Sequence, residues 1–306
     1  MKKLYYLLLL FLFYGCSNSE DVFVQEDNKK TAISIYLVKE EEPPIATEQA
    51  NIGNVQLEET PWLKDSEIEF YDWSSHIFYL KAEKRKSHLA GRNFVIKADD
   101  ERLFAGVFFP PWMSSIPQIP SIIAADEFML PDDVVAFGQF GYLHSGGLNG
   151  LESFKSSLID AGLFMRGIVV DLIELEKNSS SELEYTFKIT NKDLMNIYVL
   201  DINKMGNERF HYFTNGIFLK DGDTFYYPNN KSLAKEQIQP GWYKKLRPGE
   251  WMTRTAVSTG FTSLPTGSVT CFFTFPGSRV ETGNWKKHDG RIWLGRLPMG
   301  KEMRLK

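Results

Sequence analysis

From residue 165 to its end the chain is written almost wholly in short apolar segments that repeat every second residue. "GIVVDLIELE", "LEYTFKIT", "NIYVLD", "FHYFTNGIFLK", "TFYYP", "EWMTRTAVS", "SVTCFFTF" and "RIWLGRL" follow one another, with Gly, Pro, Asn and Ser between them. A period of two sends alternate side chains to opposite faces of a strand, so each segment has one face to bury. Short strands joined by turn-forming stretches pair antiparallel and cover that face with a second sheet. The pattern predicts an antiparallel β-sandwich over residues 165–306, with one short helix in "KSLAKEQIQPG".

Residues 32–164 mix two periods. "AISIYLV", "SHIFYLK", "NFVIKA", "RLFAGVFF" and "DVVAFGQF" read as strands, and "PWLKDSEIEFYDW" holds one helical turn near Asp65. "NGLESFKSSLIDAGLF" places Leu151, Phe154, Leu158 and Ala161 on one face of a helix that closes at Gly162. The prolines of "PPWMSSIPQIP" fix φ and remove donors, which excludes regular structure there. These elements predict an α+β domain. No flexible linker separates it from the sandwich near Phe164, so the two parts are expected to pack together. The 306 residues are enough for two domains with a sizeable core.

Two resemblances bear on these parts. "FKITN" followed by "LRPGEW" resembles the edge-loop grammar of bacterial immunoglobulin-like domains, which implies an Ig-like sandwich. "NFVIKADDERLFAGVFFPPWMSSIPQIPSII" with "LESFKSSLIDAGLF" resembles the periplasmic head domain of the translocon subunit SecD. That comparison implies an α+β fold and brings no catalytic residue with it.

The chain begins with Lys2 and Lys3, an apolar run over residues 4–13, and then Gly15-Cys16. A positive start, a short apolar run and a small residue describe a secretory signal peptide over residues 1–15. The run falls short of the ~20 apolar residues that span a bilayer. "FYGC" resembles the lipobox of bacterial lipoproteins, which implies that Cys16 becomes an acylated first residue. Each buried methylene of an acyl chain contributes about 0.8 kcal/mol, so several chains give stable membrane anchoring. Residues 16–31 then read as a flexible polar tether. Ser19-Glu20-Asp21 within it resembles the acidic surface-export signal of Bacteroidota lipoproteins, which implies the outer membrane and the cell surface.

Net charge is −4, and −6 once Lys2 and Lys3 leave with the signal peptide, so the basic footprint of a nucleic-acid binder is missing. With Cys16 acylated, Cys271 stands alone in an apolar strand and reads as a buried core residue. No local motif identifies a catalytic centre or a cofactor site. "GRLPMGKE" has phosphate-loop spacing but lacks the Ser or Thr and the helix that must follow, and reads as a C-terminal turn. His76, His88, His144, His211 and His288 show no metal-binding spacing. His144 and Ser145 in "YLHSGG" read as a loop before the helix. Asp221 and Asp223 in "KDGDTF", and Asp99, Asp100 and Glu101, read as hairpin turns. Trp242, Trp251 and Trp293 read as sandwich core.

Two surfaces remain as candidates. Lys81, Lys84, Arg85 and Lys86 gather in "KAEKRKSH", where they can hold an anion, on what reads as a hairpin tip. Phe109, Trp112 and Met113 lie in "FFPPWMSSIPQIP", a loop whose apolar area needs a cover, from a partner or from the neighbouring domain. The reading is a lipid-anchored envelope protein with a binding or assembly role and no cofactor. Its alternatives are a surface glycan binder or glycan hydrolase, and an envelope chaperone.

Overall fold

The computed structural model describes residues 30–45, 51–110, 117, 119–124, 130–138, 151–214, 216–233 and 237–306. Cys16, Trp112, Met113, His144 and Ser145 lie outside the described residues. Residues 31–306 form one compact unit. It is strand-rich, as the alternation requires, with one large sheet in its first part and three smaller ones in its second. Among the described residues no helix is long and apolar enough to cross a membrane.

The large sheet has nine strands. Across it run Leu63–Lys64, Ile33–Leu37, Asn93–Ala98, Glu101–Phe109, Ser121–Ile123, Val134–Gly138, Ile77–Leu80, Ile68–Asp72 and Phe164–Met165. Two neighbour pairs are parallel, Glu101–Phe109 with Ser121–Ile123 and Ile68–Asp72 with Phe164–Met165. The helix Leu151–Asp160 covers one face, where its Phe154 and Leu158 and the following Ala161 are completely buried. It ends as its sequence requires. Gly162 takes φ +66°, its N–H bonds to Ile159 O, and Leu163 N–H reaches Leu158 O, which satisfies the last carbonyls.

The central strands are apolar throughout because both of their faces are covered. In Ile77–Leu80, Phe78 and Leu80 join the core under the helix. Ile77 and Tyr79 turn the other way, into a second core that also holds Trp285, Ile292 and Leu294. Val134–Gly138 divides likewise, with Val135 and Phe137 on the helix side and Val134 and Ala136 opposite. A sheet buried on both faces reads as a continuous apolar run rather than an alternating one.

The second part has eleven strands among its described residues. Ile168–Lys177, Glu182–Asn191 and Trp251–Thr259 form one antiparallel sheet. Thr224–Tyr226, Ile217–Asp221, Gly267–Phe275 and Leu297–Leu305 form a second. Tyr243–Leu246, Asn196–Leu200, Gly290–Ile292 and Lys286–Lys287 form a third, in which Asn196–Leu200 and Gly290–Ile292 run parallel. Inward residues of all three sheets, among them Leu172, Phe187, Val199 and Phe273, merge in one core. Trp242 and Trp293 lie in it, and so does Cys271, whose thiol burial pushes up to about 12.

Several local expectations fail for physical reasons. "FHYFTNGIFLK" is not one strand, because Asn207–Thr214 is a helix and the strand Ile217–Asp221 starts only after Gly216. The helix buries Phe210 and Thr214 one turn apart, and tertiary burial overrides the aromatic strand signal. The described residues of "KSLAKEQIQPG" before Pro240 carry no helix, and Pro240–Trp242 make a single 3-10 turn. "GRLPMGKE" is no terminal turn, since Leu297–Leu305 is a strand at the sheet edge, where Pro298 needs no donor. "SHIFYLK" and "NFVIKA" are not hairpin partners. Three strands lie between them, so the basic loop is a crossover rather than a hairpin tip. Trp251 is 57% exposed, with Lys188 Nζ 4.6 Å from its ring centre.

One fully buried cation ties the two parts together. Arg291, on Gly290–Ile292, pairs with Asp72 at the end of Ile68–Asp72 and, at 2.7 Å, with Asp193. Its guanidinium also donates to Tyr79 Oη at 3.2 Å. Gly167 lies where the chain passes from one part to the other. Its N–H donates to Asp193 Oδ1 at 2.7 Å, and the next N–H, of Ile168, donates to Ser74 Oγ at 3.0 Å. Gly167 has φ +76°, and a Cβ there would fall 1.8 Å from Ser74 Oγ. Gly167→Ala is therefore expected to cost about 3 kcal/mol or more, from backbone strain and collision together. Gly249, at φ +73° with nothing within 4 Å of its Cβ position, is the control. Gly249→Ala is expected to cost only about 1 kcal/mol. Urea unfolding of both variants checks this, and equal losses would show that the junction tolerates a side chain.

Candidate functional site

A cleft of about 920 Å³ opens beside the junction. Glu83, Leu130 and Pro131 line it from the first part, and the remaining walls come from the second. Tyr212 and Phe213 reach it from the helix Asn207–Thr214, and Pro240 and Tyr243 from the 3-10 turn and the strand after it. Residues 279–284, Lys286 and Lys287 form another wall.

That wall is held by two acids of the first part. Asp133 Oδ2 accepts from Trp285 Nε1 at 2.7 Å and from Gly283 N–H at 3.1 Å. Asp132 N–H donates to Thr282 Oγ1 at 3.0 Å. Trp285 itself is buried, edge-on to Tyr79 and Phe70. The loop between Phe275 and Lys286 is irregular yet anchored at three points, which gives the cleft a preformed wall.

The lining has both polar and apolar character. Arg279, Lys286 and Lys287 share the lining with Glu83 and Glu281, and Gln237 and Asn284 add neutral donors and acceptors. Lys286 is engaged by Glu69, whereas Arg279 and Lys287 stand exposed. Tyr212, Phe213 and Ile238 supply apolar contact, and burial raises the Tyr243 phenol above its ordinary range. Pockets of this size that mix apolar walls with a few polar groups are the usual form of ligand sites. Among the described residues no group of three or more His, Cys, Asp or Glu is placed to hold a metal ion.

The structure separates the sequence candidates. Of the four cations in "KAEKRKSH", Lys84 pairs with Glu67 at 2.7 Å and Lys86 is buried 3.7 Å from Asp132. Partial burial works against the Glu67 carboxylate, but the Lys84 and backbone hydrogen bonds hold it below its ordinary range. Lys81 Nζ donates to Ser66 O at 2.9 Å, and Arg85 is exposed. These side chains hold the crossover to the sheet more than they gather outward. Phe109 is half-buried at the end of Glu101–Phe109. Gly222 and Asp223 make the two-residue turn between Asp221 and Thr224, and Asp99 and Asp100 make the one between Ala98 and Glu101, as hairpin chemistry requires.

The cleft was not legible in the sequence. Its residues are scattered from Glu83 to Ile292 and carry no shared spacing. The one available signal was the polar, strandless stretch "PGSRVETGN", which is too long for a tight turn and becomes the anchored wall.

No protein-family model matches the chain, and no curated protein matches it in sequence.

Two imidazoles respond to acid. Burial lowers His76 to about 4, against the opposing pull of Asp72, and its Nδ1 lies 2.9 Å from Tyr71 Oη. Burial likewise lowers His211, on the helix that gives Tyr212 and Phe213 to the cleft, to about 4. An unfolded imidazole titrates near 6.5, so between about pH 6.5 and 4 the unfolded chain binds more protons than the folded one. Stability from these groups is complete above that window and is lost as the pH falls through it, each with a slope of up to about 1.4 kcal/mol per pH unit. Urea midpoints at pH 7 and 5 are expected to drop, and His211→Met is expected to reduce the drop. An equal drop in His211→Met would exclude His211 as a source.

Proposed function

We propose that this chain is a lipid-anchored cell-envelope protein that binds a ligand or partner segment in the cleft without transforming it. Cys16 is the acylated residue, residues 1–15 are the signal peptide and residues 16–31 are the tether. The acidic Ser19-Glu20-Asp21, which resembles a surface-export signal, supports a place at the outer membrane, facing outward. On this reading the body is an α+β domain over residues 32–164 joined to an immunoglobulin-like sandwich over residues 165–306. The absence of a basic footprint argues against nucleic acid as the partner.

The observation that carries the binding reading is the cleft. Its volume suits a small ligand or a short chain segment, and the wall over residues 279–284 is fixed by Asp132 and Asp133 before anything binds. The exposed Arg279 and Lys287 favour a ligand with acceptor oxygens.

The test has two arms in one bacterial host. A fatty-acid label is expected to enter the full-length protein and to be lost in Cys16→Ser. A photo-crosslinking residue at Lys287 is expected to give an adduct that the same residue at Trp251 does not. A label that persists without Cys16 would overturn the anchor. Identical crosslinking from both positions would overturn the cleft.

A further inference from the structure

Three segments of the chain come side by side at Asn191. Its N–H donates to Glu250 O at 2.9 Å, Gly249 N–H donates to Asn191 O at 3.0 Å, and Lys192 N–H donates to Gly167 O at 2.9 Å. Residues 192–195 make a tight turn there. Asp193 N–H donates to Asn191 Oδ1 and Asn191 Nδ2 donates to Met195 O, both at 2.8 Å. Asp193 points in to Arg291, and Met195 packs on the core around Trp285. Leu194, between them, is 92% exposed. An ordered turn thus holds a leucine out in water.

The adjoining sheet ends beside that turn. Its last outward row is Val169, Thr190 and Trp251, in register across three strands. Val169 is 48% exposed, and Trp251 is exposed as described above. Cations surround these apolar groups. Arg166, Lys192 and Arg247, one from each segment, are exposed. Lys188 adds a fourth, held over the Trp251 ring. The acids of the same segments are already engaged. Asp193 is buried against Arg291, and Glu250 lies 3.9 Å from Lys244 and accepts from Arg247 N–H at 2.9 Å. Cations therefore dominate this end among the described residues.

Exposed apolar side chains of this kind call for a cover. Leu194, Trp251 and Val169 together offer on the order of 400 Å². That is about half of the ~800 Å² that each partner of a stable protein complex buries. They also stand out from loop and strand ends, with Thr190 between two of them, rather than joining in one flat patch. A bilayer surface needs no shape-matched patch. Its headgroup layer takes in single apolar tips and seats Trp rings at its boundary. Where its lipids are anionic it attracts Lys and Arg, with a gain of about fivefold in binding for each.

We infer that this end of the molecule docks on a bilayer surface that carries anionic headgroups. Leu194 and the Trp251 ring enter the headgroup layer, and Arg166, Lys188, Lys192 and Arg247 meet the lipid phosphates around them. Long cationic side chains suit that place, because their stems lie along apolar surface while the charge stays in water. Docking fixes which end of the body faces the membrane. It shares no residue with the cleft, and it depends neither on the cleft nor on Cys16.

The test puts an environment-sensitive thiol label on Leu194→Cys in the full-length protein. The protein is reconstituted with phosphatidylcholine vesicles, with and without phosphatidylglycerol, that carry a shallow lipid-borne quencher. Cys271 is buried, and the wild type taken through the same labelling gives the background. The label is expected to be quenched in the anionic vesicles, and less so in high salt. Lys192→Glu and Arg247→Glu are each expected to lower the ratio of docked to free protein about fivefold or more. The same label on Tyr227→Cys, which lies beyond a different sheet, is expected to stay unquenched. All four positions are exposed, so unfolding midpoints should match the wild type and show that the variants fold. The inference is overturned if the label at 194 stays unquenched in anionic vesicles, or is quenched equally without phosphatidylglycerol. It is also overturned if the labels at 194 and 227 are quenched alike. A label at 194 that responds to solubilised envelope proteins but not to vesicles would assign this end to a protein partner and overturn it too.

Discussion

Arg291 sits with no exposed surface between Asp72 and Asp193, and the rest of the body is arranged around keeping it there. A buried guanidinium is costly unless every neighbour compensates it, and here the neighbours come from both parts of the chain. Burial alone would lower its proton affinity, but Asp72, Tyr79 and Asp193 raise it above the ordinary range, so the charge is fixed. The Phe70 and Tyr79 rings each lie 5.2 Å from the guanidinium carbon. Asp193 is aimed by Gly167 N–H and by its own N–H, which donates to Asn191 Oδ1. Asp72 accepts from Ser74 Oγ and from Ser75 N–H. Removing one partner from such a set strands a charge in a buried core, which costs more than the pair itself contributes.

That cluster fixes the cleft as well. Gly290–Ile292 carries Arg291 and also places Ile292 against the cleft and against the core around Trp285. The loop before it is pinned by Asp132 and Asp133 from the nine-stranded sheet. The cleft wall therefore belongs to the second part in sequence but is held in place by the first.

How far each feature could be read from the sequence follows the range of its physics. The helix at Leu151–Asp160 and the strands of alternating burial, such as Glu182–Asn191, were legible because periodicity and the Gly162 cap are local. The Asp221 and Asp99 turns were legible for the same reason. The helix at Asn207–Thr214 was hidden by Phe210, Tyr212 and Phe213, which score as strand formers until burial decides. Trp251 reads like Trp242 in sequence, yet one is exposed and the other buried, because face assignment depends on register with distant strands. Strand order was not legible. Nothing in "SHIFYLK" or "NFVIKA" says that three other strands will come between them. The Arg291 cluster joins residues more than two hundred positions apart, and the first Arg of "RIWLGRL" gives no sign of it.

The most direct test of the role given to Arg291 is urea unfolding of Arg291→Ala, followed by far-UV circular dichroism and by tryptophan fluorescence in parallel. The wild type is expected to show one transition by both probes, since residues 31–306 are one compact unit. Arg291→Ala is expected to lose about 3–5 kcal/mol, with the two probes separating as the parts uncouple. A loss below about 1 kcal/mol with coincident transitions would contradict the claim that this buried cation holds the two parts together.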